Sequence, residues 1–293
     1  MITVDPSTIP AVKVQAILQA AVAPRPIAFA STVNAGGQVN LSPFSFFNVF
    51  SASPPILIFS PARRVRDNTT KHTLDNVLAV PEVVISVVSH AMVQQMSLAS
   101  TEYPEGVNEF EKAGFTMSPS QTIKPPCVKE SPVNFECTVE QVIALGDQGG
   151  AGNLVICKVQ RIHMAEWALN DAQQLDQNKL DLVARLGGNW YCRASGDALF
   201  EVEKPLSTLG VGVDQIPQSF RLSPILSGNH LGRLGNVEQV PDEAAVQEFV
   251  SSGEREILLQ QHAYSDFAVH RAVAQLVDRG AMLEAWKLML SSD

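Results

Sequence analysis

The fold is decided by residues 131–164, which read SPVNFECTVEQVIALGDQGGAGNLVICKVQRIHM. This stretch contains two long runs rich in apolar and β-branched residues, Ser131–Leu145 and Asn153–Met164. The residues between them, 146–152, are mostly glycine with small or polar neighbours. Such a pattern predicts two long strands joined by a flexible hairpin loop.

Shorter strand-like runs lie on the N-terminal side of this hairpin. Residues 26–33 alternate larger and smaller side chains, and the turn-forming residues Asn34-Ala35-Gly36-Gly37 precede a returning run, which predicts a second hairpin. Residues 43–55 are rich in Ser and Phe and are predicted to form a loop. The shorter predicted strands are 26–33, 38–42, 56–60 and 83–88.

Only a few helices are expected among these strands. An apolar stripe predicts a helix over 11–21, and Thr69 or Thr70 can cap another that runs to about Val80. Two more short helices are predicted at 90–99 and 109–113. Many strands with few inserted helices favour a mainly β (α+β) fold, a closed or partly closed barrel, over an alternating βαβ sheet.

After about Phe200 the pattern changes. Residues 205–235 are punctuated by Pro and Gly and are predicted to be a loop. Three helices should follow, with Gly280 as a C-terminal stop: Pro241–Val250, Glu256–Ala263 and Asp266–Asp278. We therefore expect a barrel domain over 1–200 and an acidic helical extension over 201–293 that packs on it.

Composition excludes several classes of protein. The 293 residues carry a net charge of −9, which argues against nucleic acid as a partner. No apolar run reaches the ~18 residues of a membrane span, so no membrane association is expected. The N-terminus is interrupted by Asp5, Pro6 and Pro10 and does not resemble a signal peptide. These features predict a cytoplasmic protein.

One basic segment stands out in this acidic chain. Arg63, Arg64, Arg66 and Lys71 lie within nine residues, directly after the predicted strand 56–60. A local cluster of cations is where an anionic ligand is expected, and barrels open their ligand sites at strand ends. The alternative is that these cations are solvated surface charge.

The spacing of residues does not indicate a metal site, a P-loop or a set of catalytic side chains. The histidines and the four cysteines show no metal-ligand spacing, so no metal site is predicted, and the cysteines are expected to be buried thiols. The glycine-rich residues 149–152 lack a following Lys-Ser/Thr, which excludes a P-loop. No nucleophile–base pair can be defended, so no catalytic side chain is predicted.

Three segments together resemble a known family. The first is Arg25–Thr32 with Asn40–Asn48, the second is Pro54–Ser60 with Arg63–Asn76, and the third is Ala184–Tyr191. In order and spacing, over roughly residues 20–195, the chain resembles the flavin reductase-like family of FMN-binding split barrels. The tail is similar to that of longer members of the family.

The resemblance implies FMN as cofactor. For its phosphate, Arg63, Arg64 and Lys71 offer cationic donors, and Ser60 and Thr73 offer hydroxyls. For the ring, the resemblance implies backbone amides of the loop Ser45, Phe46, Phe47 and Asn48, with Ser31, Thr32 and Asn40 near the ring edge. The alternatives left open are core packing for the phenylalanines and a turn role for Asn40.

The same resemblance implies a homodimer with the flavin at its interface. Arg185 and Tyr191 are placed near the flavin, from the same or the partner subunit, with an internal ion pair of Arg185 as the alternative. One departure concerns His72, which stands where many relatives have an acidic residue, so an acid role there is not expected.

These implications predict an NAD(P)H-dependent flavin reductase. NAD(P)H would bind transiently as reductant and pass a hydride to flavin N5, and a small molecule or a protein would accept the electrons. Two alternatives remain: an FMN-binding electron carrier similar to flavoredoxins, and a non-catalytic flavin-binding module. A related possibility is the oxidation of one organic substrate, with the helical tail shaping its pocket.

Overall fold

The computed structural model describes residues 1–202, 204–206, 208–260, 262 and 267–292. It divides into two compact units, Met1–Phe200 and Glu201–Asp293. How the extension packs on the barrel stays a prediction.

The N-terminal unit contains the strands of the protein. They are β1 (Ala28–Val33), β2 (Val39–Phe44), β3 (Phe47–Ala52), β4 (Pro55–Phe59), β5 (Glu82–Ser86), β6 (Met117–Ser118), β7 (Cys127–Val128), β8 (Val133–Ala144), β9 (Asn153–Met164), β10 (Leu182–Arg185) and β11 (Tyr191–Ala194). Seven of them form one antiparallel sheet in the order β2-β1-β5-β8-β9-β4-β3. The other four form two small pairs, β6 with β7 and β10 with β11.

The sheet must curl into a barrel, because its two edge strands are neighbours in the chain. β2 ends at Phe44 and β3 begins at Phe47, so their ends lie at most ~11 Å apart. In a flat sheet of seven strands the two edges would be separated by roughly 29 Å. The predicted partly closed barrel with few helices is confirmed.

The long hairpin is also confirmed. β8 and β9 pair from Val133 opposite Met164 to Ala144 opposite Asn153, and the register shifts twice. Such shifts bend a strand and increase its twist, which helps a sheet to curl. Cys137 and Cys157 are buried in these strands, where burial raises the pKa of both thiols, as expected for structural cysteines.

All six residues of β1 are buried, since both faces of this strand are covered. Ala28 and Ala30 pack with Phe59 and other side chains inside the barrel. Phe29 packs on the opposite face, against Phe110 and Phe115. The small alanines leave room inside the barrel, and the inserted helices cover its outer side.

Five helices belong to this unit: α1 (Ala11–Ala21), α2 (His72–Ala79), α3 (Val93–Leu98), α4 (Glu109–Ala113) and α5 (Gln177–Leu180). The predicted cap of α2 was wrong. Its N-cap is Lys71, and no side chain caps the helix. Thr70 instead donates its hydroxyl to the Asp75 carboxylate, and the Thr69 hydroxyl donates to Asp67.

The loop predicted over 43–55 was also wrong, because β3 lies within it. β3 is an edge strand whose side chains are mostly exposed, and a register shift between Val49 and Ser51 breaks the alternation of its faces. An exposed edge strand lacks the apolar periodicity that identifies a strand in sequence.

The C-terminal unit is helical. Its helices are α6 (Gln218–Arg221), α7 (Gly228–Gly235), α8 (Glu243–Ser251), α9 (Glu254–Gln260), α10 (Ala268–Asp278) and α11 (Met282–Leu290). They enclose a core of their own around Trp286, whose indole N–H donates to the Leu234 carbonyl at 3.0 Å.

The loop predicted over 205–235 was wrong in this unit. α6 and α7 lie within that stretch, and three of the eight residues of α7 are glycine, which hides its helical pattern. Ser227 begins α7 with a capping box in which the His230 side chain accepts from the Ser227 amide.

The helix predicted from Pro241 begins instead at Glu243, with the Asp242 side chain as its cap. Ala263 and Asp266, the predicted ends of two other helices, lie outside the described residues. Gly280 has a φ of +87°, consistent with the predicted stop after α10. Within the described part of the chain, no helix combines the length and apolar character needed to cross a lipid bilayer.

Candidate functional site

A cleft of about 660 Å³ opens on the N-terminal unit. Its volume falls within the ~300–1,000 Å³ typical of small-molecule sites. Another depression, beside Asn34 and Glu105, measures only about 80 Å³. The cleft brings together many of the predicted site residues: Ser45, Phe46, Ser60, Arg63, Arg64, Lys71, Arg185 and Tyr191.

The loop after β4 carries the basic segment and is held by the β8–β9 turn. Arg63 donates its backbone N–H to the Ala151 carbonyl at 2.8 Å, and its guanidinium binds Asn68 at 2.7 Å. Gly149 approaches so closely that an added Cβ would lie 3.0 Å from the Arg64 and Val65 carbonyl oxygens. The flexible loop predicted from its glycines therefore has a structural role as a support for the arginines.

Arg64 and Arg66 share one carboxylate. Arg64 Nε lies 3.0 Å from Glu102 Oε1, and an Arg66 guanidinium nitrogen lies 3.1 Å from Glu102 Oε2. Arg66 also binds Asp67 at 2.8 Å. Hydrogen bonds from the arginines and ion pairing with them lower the pKa of Glu102, so this carboxyl is charged at neutral pH.

Lys71 differs from these arginines. It is half-buried, its ammonium lies 5.6 Å from the centre of the Phe44 ring, and no carboxylate pairs with it among the described residues. Burial lowers the pKa of Lys71, the nearby Arg64 lowers it further, and Glu102 partly offsets both effects. A desolvated cation in a cleft wall is stabilised by an anionic ligand.

The connection between β2 and β3 forms another wall. Phe46 is 39% exposed and lines the cleft, and its carbonyl accepts the Ser60 amide at 2.8 Å. Phe47 instead packs against the barrel core, which is the structural alternative considered from the sequence. The Asn48 side chain is exposed and accepts a hydrogen bond from the Val49 amide.

Four predicted site residues are buried and do not line this cleft. The Asn40 amide donates to the Thr73 hydroxyl at 2.9 Å, and the Asn76 amide donates to the Thr32 hydroxyl at 3.0 Å. Asn40 lies within β2 and is not a turn residue. Ser31 is fully buried, and its hydroxyl has no hydrogen-bond partner among the described residues. Flavin contacts of these residues stay predictions.

Arg185 also lines the cleft, stacked on Tyr191 with its guanidinium carbon 4.7 Å from the ring centre. It donates to the Gly188 carbonyl at 2.9 Å and forms no ion pair within the described part of the chain, contrary to the structural alternative. The guanidinium is therefore held by contacts that leave its charge uncompensated.

Arg25 joins three parts of the site. Its buried guanidinium donates to the carbonyls of Gln19 and Val22 at the end of α1, and to the Leu186 carbonyl at 2.9 Å. Its Nε lies 3.5 Å from the Ser45 hydroxyl. Burial lowers the pKa of Arg25, as does the neighbouring Arg185.

Sequence reasoning missed several residues that line the cleft. They are Gln15 and Gln19 of α1, Met96, Ser97, Ser100, Glu102 and Asn189. Glu102 follows Arg64 by 38 residues, so no local pattern could have indicated their ion pair. Arg25 had a signal, since it begins the first of the three segments that carry the family resemblance.

A separate group of polar side chains lies away from this cleft. Ligand atoms of Cys127, Glu136 and His163 lie within 4.8 Å of one another, a proximity that sequence spacing did not reveal. Both Glu136 oxygens already accept two hydrogen bonds each, from Gln121, Thr122 and His163. The four donors occupy both oxygens of Glu136. The group therefore anchors residues 121–122 to β8 through hydrogen bonds.

Comparison with known proteins identifies the N-terminal unit. Residues 21–178 match the family model "Flavin reductase like domain". The chain belongs to the flavin reductase-like family. This match covers most of the N-terminal unit, including the loop after β4 that carries the basic segment.

Relatives of this flavin reductase-like protein occur in other organisms. An uncharacterised protein of Aquifex aeolicus is 36% identical over 181 residues, 62% of this chain and 90% of that protein. An uncharacterised protein of Halalkalibacterium halodurans is 38% identical over 177 residues, 60% of this chain and 84% of that protein.

Solved structures share its fold. Nitrilotriacetate monooxygenase component B from Bacillus cereus superposes with a TM-score of 0.64 and 28% identity, over 69% of this chain and 98% of that one. The flavoredoxin of Desulfovibrio vulgaris has a TM-score of 0.52 and 21% identity, over 63% and 92% of the two chains, and its likeness concerns the fold alone. The split-barrel fold predicted from sequence is confirmed.

Family membership makes this protein a flavin-related oxidoreductase. The residues present fit a flavin. The cleft has a volume typical of small-molecule sites, and Lys71, Arg64 and Arg63 bring positive charge to its lining. Phe46 and Tyr191 bring aromatic surface to its walls.

Proposed function

We propose that this protein binds FMN in the cleft and works as an NAD(P)H-dependent flavin reductase, with a small molecule or a protein as electron acceptor. The observation that carries the proposal is Lys71. It is a half-buried cation without a carboxylate partner among the described residues, and it shares the cleft with Arg64 and Ser60. Such a group favours an anionic ligand, and the FMN phosphate is a dianion.

The phosphate would be held by the ammonium of Lys71, the guanidinium of Arg64 and the hydroxyl of Ser60. An added Cβ at Gly152 would lie 2.6 Å from the Ser60 hydroxyl, so a side chain there would displace this group. The glycine thus keeps the hydroxyl in place beside the cations.

Phe46, Arg185 and Tyr191, which all line the cleft, would hold the isoalloxazine ring. Hydrogen-bond donors near the ring favour the negative charge that it gains on reduction, and the positively charged guanidinium of Arg185 would be such a donor. Bound FMN would supply hydride and electron-transfer chemistry between a nicotinamide and the acceptor. The protein's own groups bind and orient the reactants.

The neighbours in the structural comparison support this assignment. One of them is component B of nitrilotriacetate monooxygenase, a component of an oxygenase system by its name. Another, at 15% identity and a TM-score of 0.51, is described as an FMN-binding protein from Thermus thermophilus. The second name favours FMN as the flavin, and the first favours a task in oxidation chemistry.

We expect a homodimer, because apolar side chains lie exposed beside the cleft. α1 buries none of its residues, and Ile17 and Leu18 are 49% and 54% exposed. On the edge strand β3, Val49 and Phe50 are 64% and 63% exposed. Exposed apolar surface of this extent indicates an interaction site, and a second copy would complete the cleft. Light scattering after gel filtration should give twice the mass of one chain, and a monomer at micromolar concentration would contradict the dimer.

The purified protein is expected to bind one FMN per chain. Added FMN should lose fluorescence and show a shifted visible spectrum, because burial against aromatic rings changes the environment of the isoalloxazine. A protein that leaves the spectrum and fluorescence of FMN unchanged would refute the proposed function.

The choice of reductant separates the enzyme from an electron carrier. Under anaerobic conditions, NADH or NADPH should bleach the bound flavin within seconds to minutes. Flavin that dithionite reduces but neither nucleotide bleaches would instead favour the flavoredoxin-like alternative.

A further inference from the structure

The ion pairs of Glu102 place a carboxylate on the donors that a phosphate requires. Its two oxygens each take one guanidinium, from Arg64 at 3.0 Å and from Arg66 at 3.1 Å. All three side chains line the cleft. Arginine binds carboxylates and phosphates through the same fork of N–H groups, so both anions compete for it.

Neither arginine depends on Glu102 for its position. Arg64 also donates to the Thr69 hydroxyl at 2.9 Å and to the Thr70 carbonyl. Arg66 is held by Asp67 at 2.8 Å, and Asp67 is fixed in turn by Thr69. Removing Glu102 would therefore free donors without releasing the side chains that carry them.

Glu102 can also leave the arginines at small cost. Its side chain is 50% exposed, so its carboxylate can turn to water without losing a buried contact. The Arg66–Glu102 pair is exposed on both sides, and exposed ion pairs contribute little to stability. A dianionic phosphate that also reaches Lys71 would displace it.

We propose that Glu102 competes with the flavin phosphate for Arg64 and Arg66 and thereby limits how tightly the cleft holds a phosphorylated flavin. The inference rests on the proposed function. With Glu102 in place, its carboxylate offsets one unit of the positive charge of Arg64 and Arg66. With Glu102 displaced, that unit of positive charge faces the phosphate. Because Glu102 competes for the same arginines, FMN would exchange with the solution and not stay permanently bound.

The test compares the wild-type protein with Glu102→Gln, which keeps the shape of the side chain and removes its charge. Fluorescence titration at low ionic strength uses FMN and riboflavin, which lacks the phosphate. We expect E102Q to bind FMN about 3- to 10-fold more tightly and riboflavin with unchanged affinity. The gain should shrink in about 0.5 M salt, where exposed charges are screened.

Glu105→Gln is the matched control. Glu105 lies three residues further along, beside the small depression near Asn34 and not in the cleft. The Glu105→Gln substitution removes the same formal charge as Glu102→Gln, so a long-range effect of net charge would appear equally in both variants. Thermal melting checks that each variant is folded.

The outcomes separate the two proposals. If wild-type protein binds FMN and E102Q binds it equally or more weakly, Glu102 positions the arginines and the inference is overturned while the proposed function stands. If E102Q tightens FMN and riboflavin alike, competition with a phosphate is also refuted. If wild-type protein binds neither flavin, both the proposed function and the inference fail.

Discussion

Replacing Lys71 by Met is expected to weaken FMN binding by about 10- to 100-fold, since a hydrogen bond to a charged group is worth ~1.5–3 kcal/mol. Met keeps a long apolar stem beside the Phe44 ring, which the Lys71 side chain now covers. The loss of affinity should arise only from the missing contact between Lys71 and the FMN phosphate. Titration with FMN and with riboflavin measures it, and riboflavin affinity should change less than twofold.

A matched control is Lys112→Met. The Lys112 ammonium also lies over an aromatic ring, 5.8 Å from the centre of Tyr103, but Lys112 does not line the cleft. We expect this variant to bind FMN like the wild type. If K71M binds FMN as tightly as K112M does, Lys71 is not a phosphate ligand.

The second large effect concerns stability. Glu136→Gln is expected to lower the free energy of unfolding by about 2–4 kcal/mol, because a buried carboxylate is replaced by an amide that must face several donors. Glu136 is fully buried and accepts from the Gln121 amide at 2.6 Å, from Thr122 and from His163 at 2.7 Å. Urea unfolding at pH 7 measures the difference.

The stabilisation that Glu136 gives to the fold should weaken as the pH falls. Burial alone would raise the pKa of Glu136, but the hydrogen bonds from Gln121, Thr122 and His163 outweigh it and lower the pKa from 4.5 to about 2. A carboxyl with a depressed pKa stabilises the fold fully above its unfolded value and progressively less as pH falls through its folded value. Wild-type stability should therefore fall between about pH 4.5 and 2 more steeply than that of E136Q.

Glu140→Gln serves as the control for this series. Glu140 lies on the same strand with an exposed side chain, and its replacement should change the stability by less than ~0.5 kcal/mol. An E136Q variant as stable as E140Q at pH 7 would show that the four hydrogen bonds do not stabilise the charged form.

Local patterns predicted much of the barrel. The long hairpin β8–β9 and the partly buried strand β4 were found because their apolar residues are continuous or alternate, and burial imposes that pattern. β3 and α7 were missed because they lack such an apolar pattern. One is an exposed edge strand and the other is rich in glycine, so neither carries the periodicity of its element.

The sequence by itself determined the β-rich barrel and the basic segment, since each depends on residues that are neighbours along the chain. The tertiary structure alone decided which cations have partners. Glu102 reaches Arg64 from 38 residues away, Arg25 reaches Leu186 from 161 away, and Lys71 has no carboxylate partner among the described residues. Charge complementarity acts through space at a few ångströms, and only the curled sheet brings those side chains within that distance.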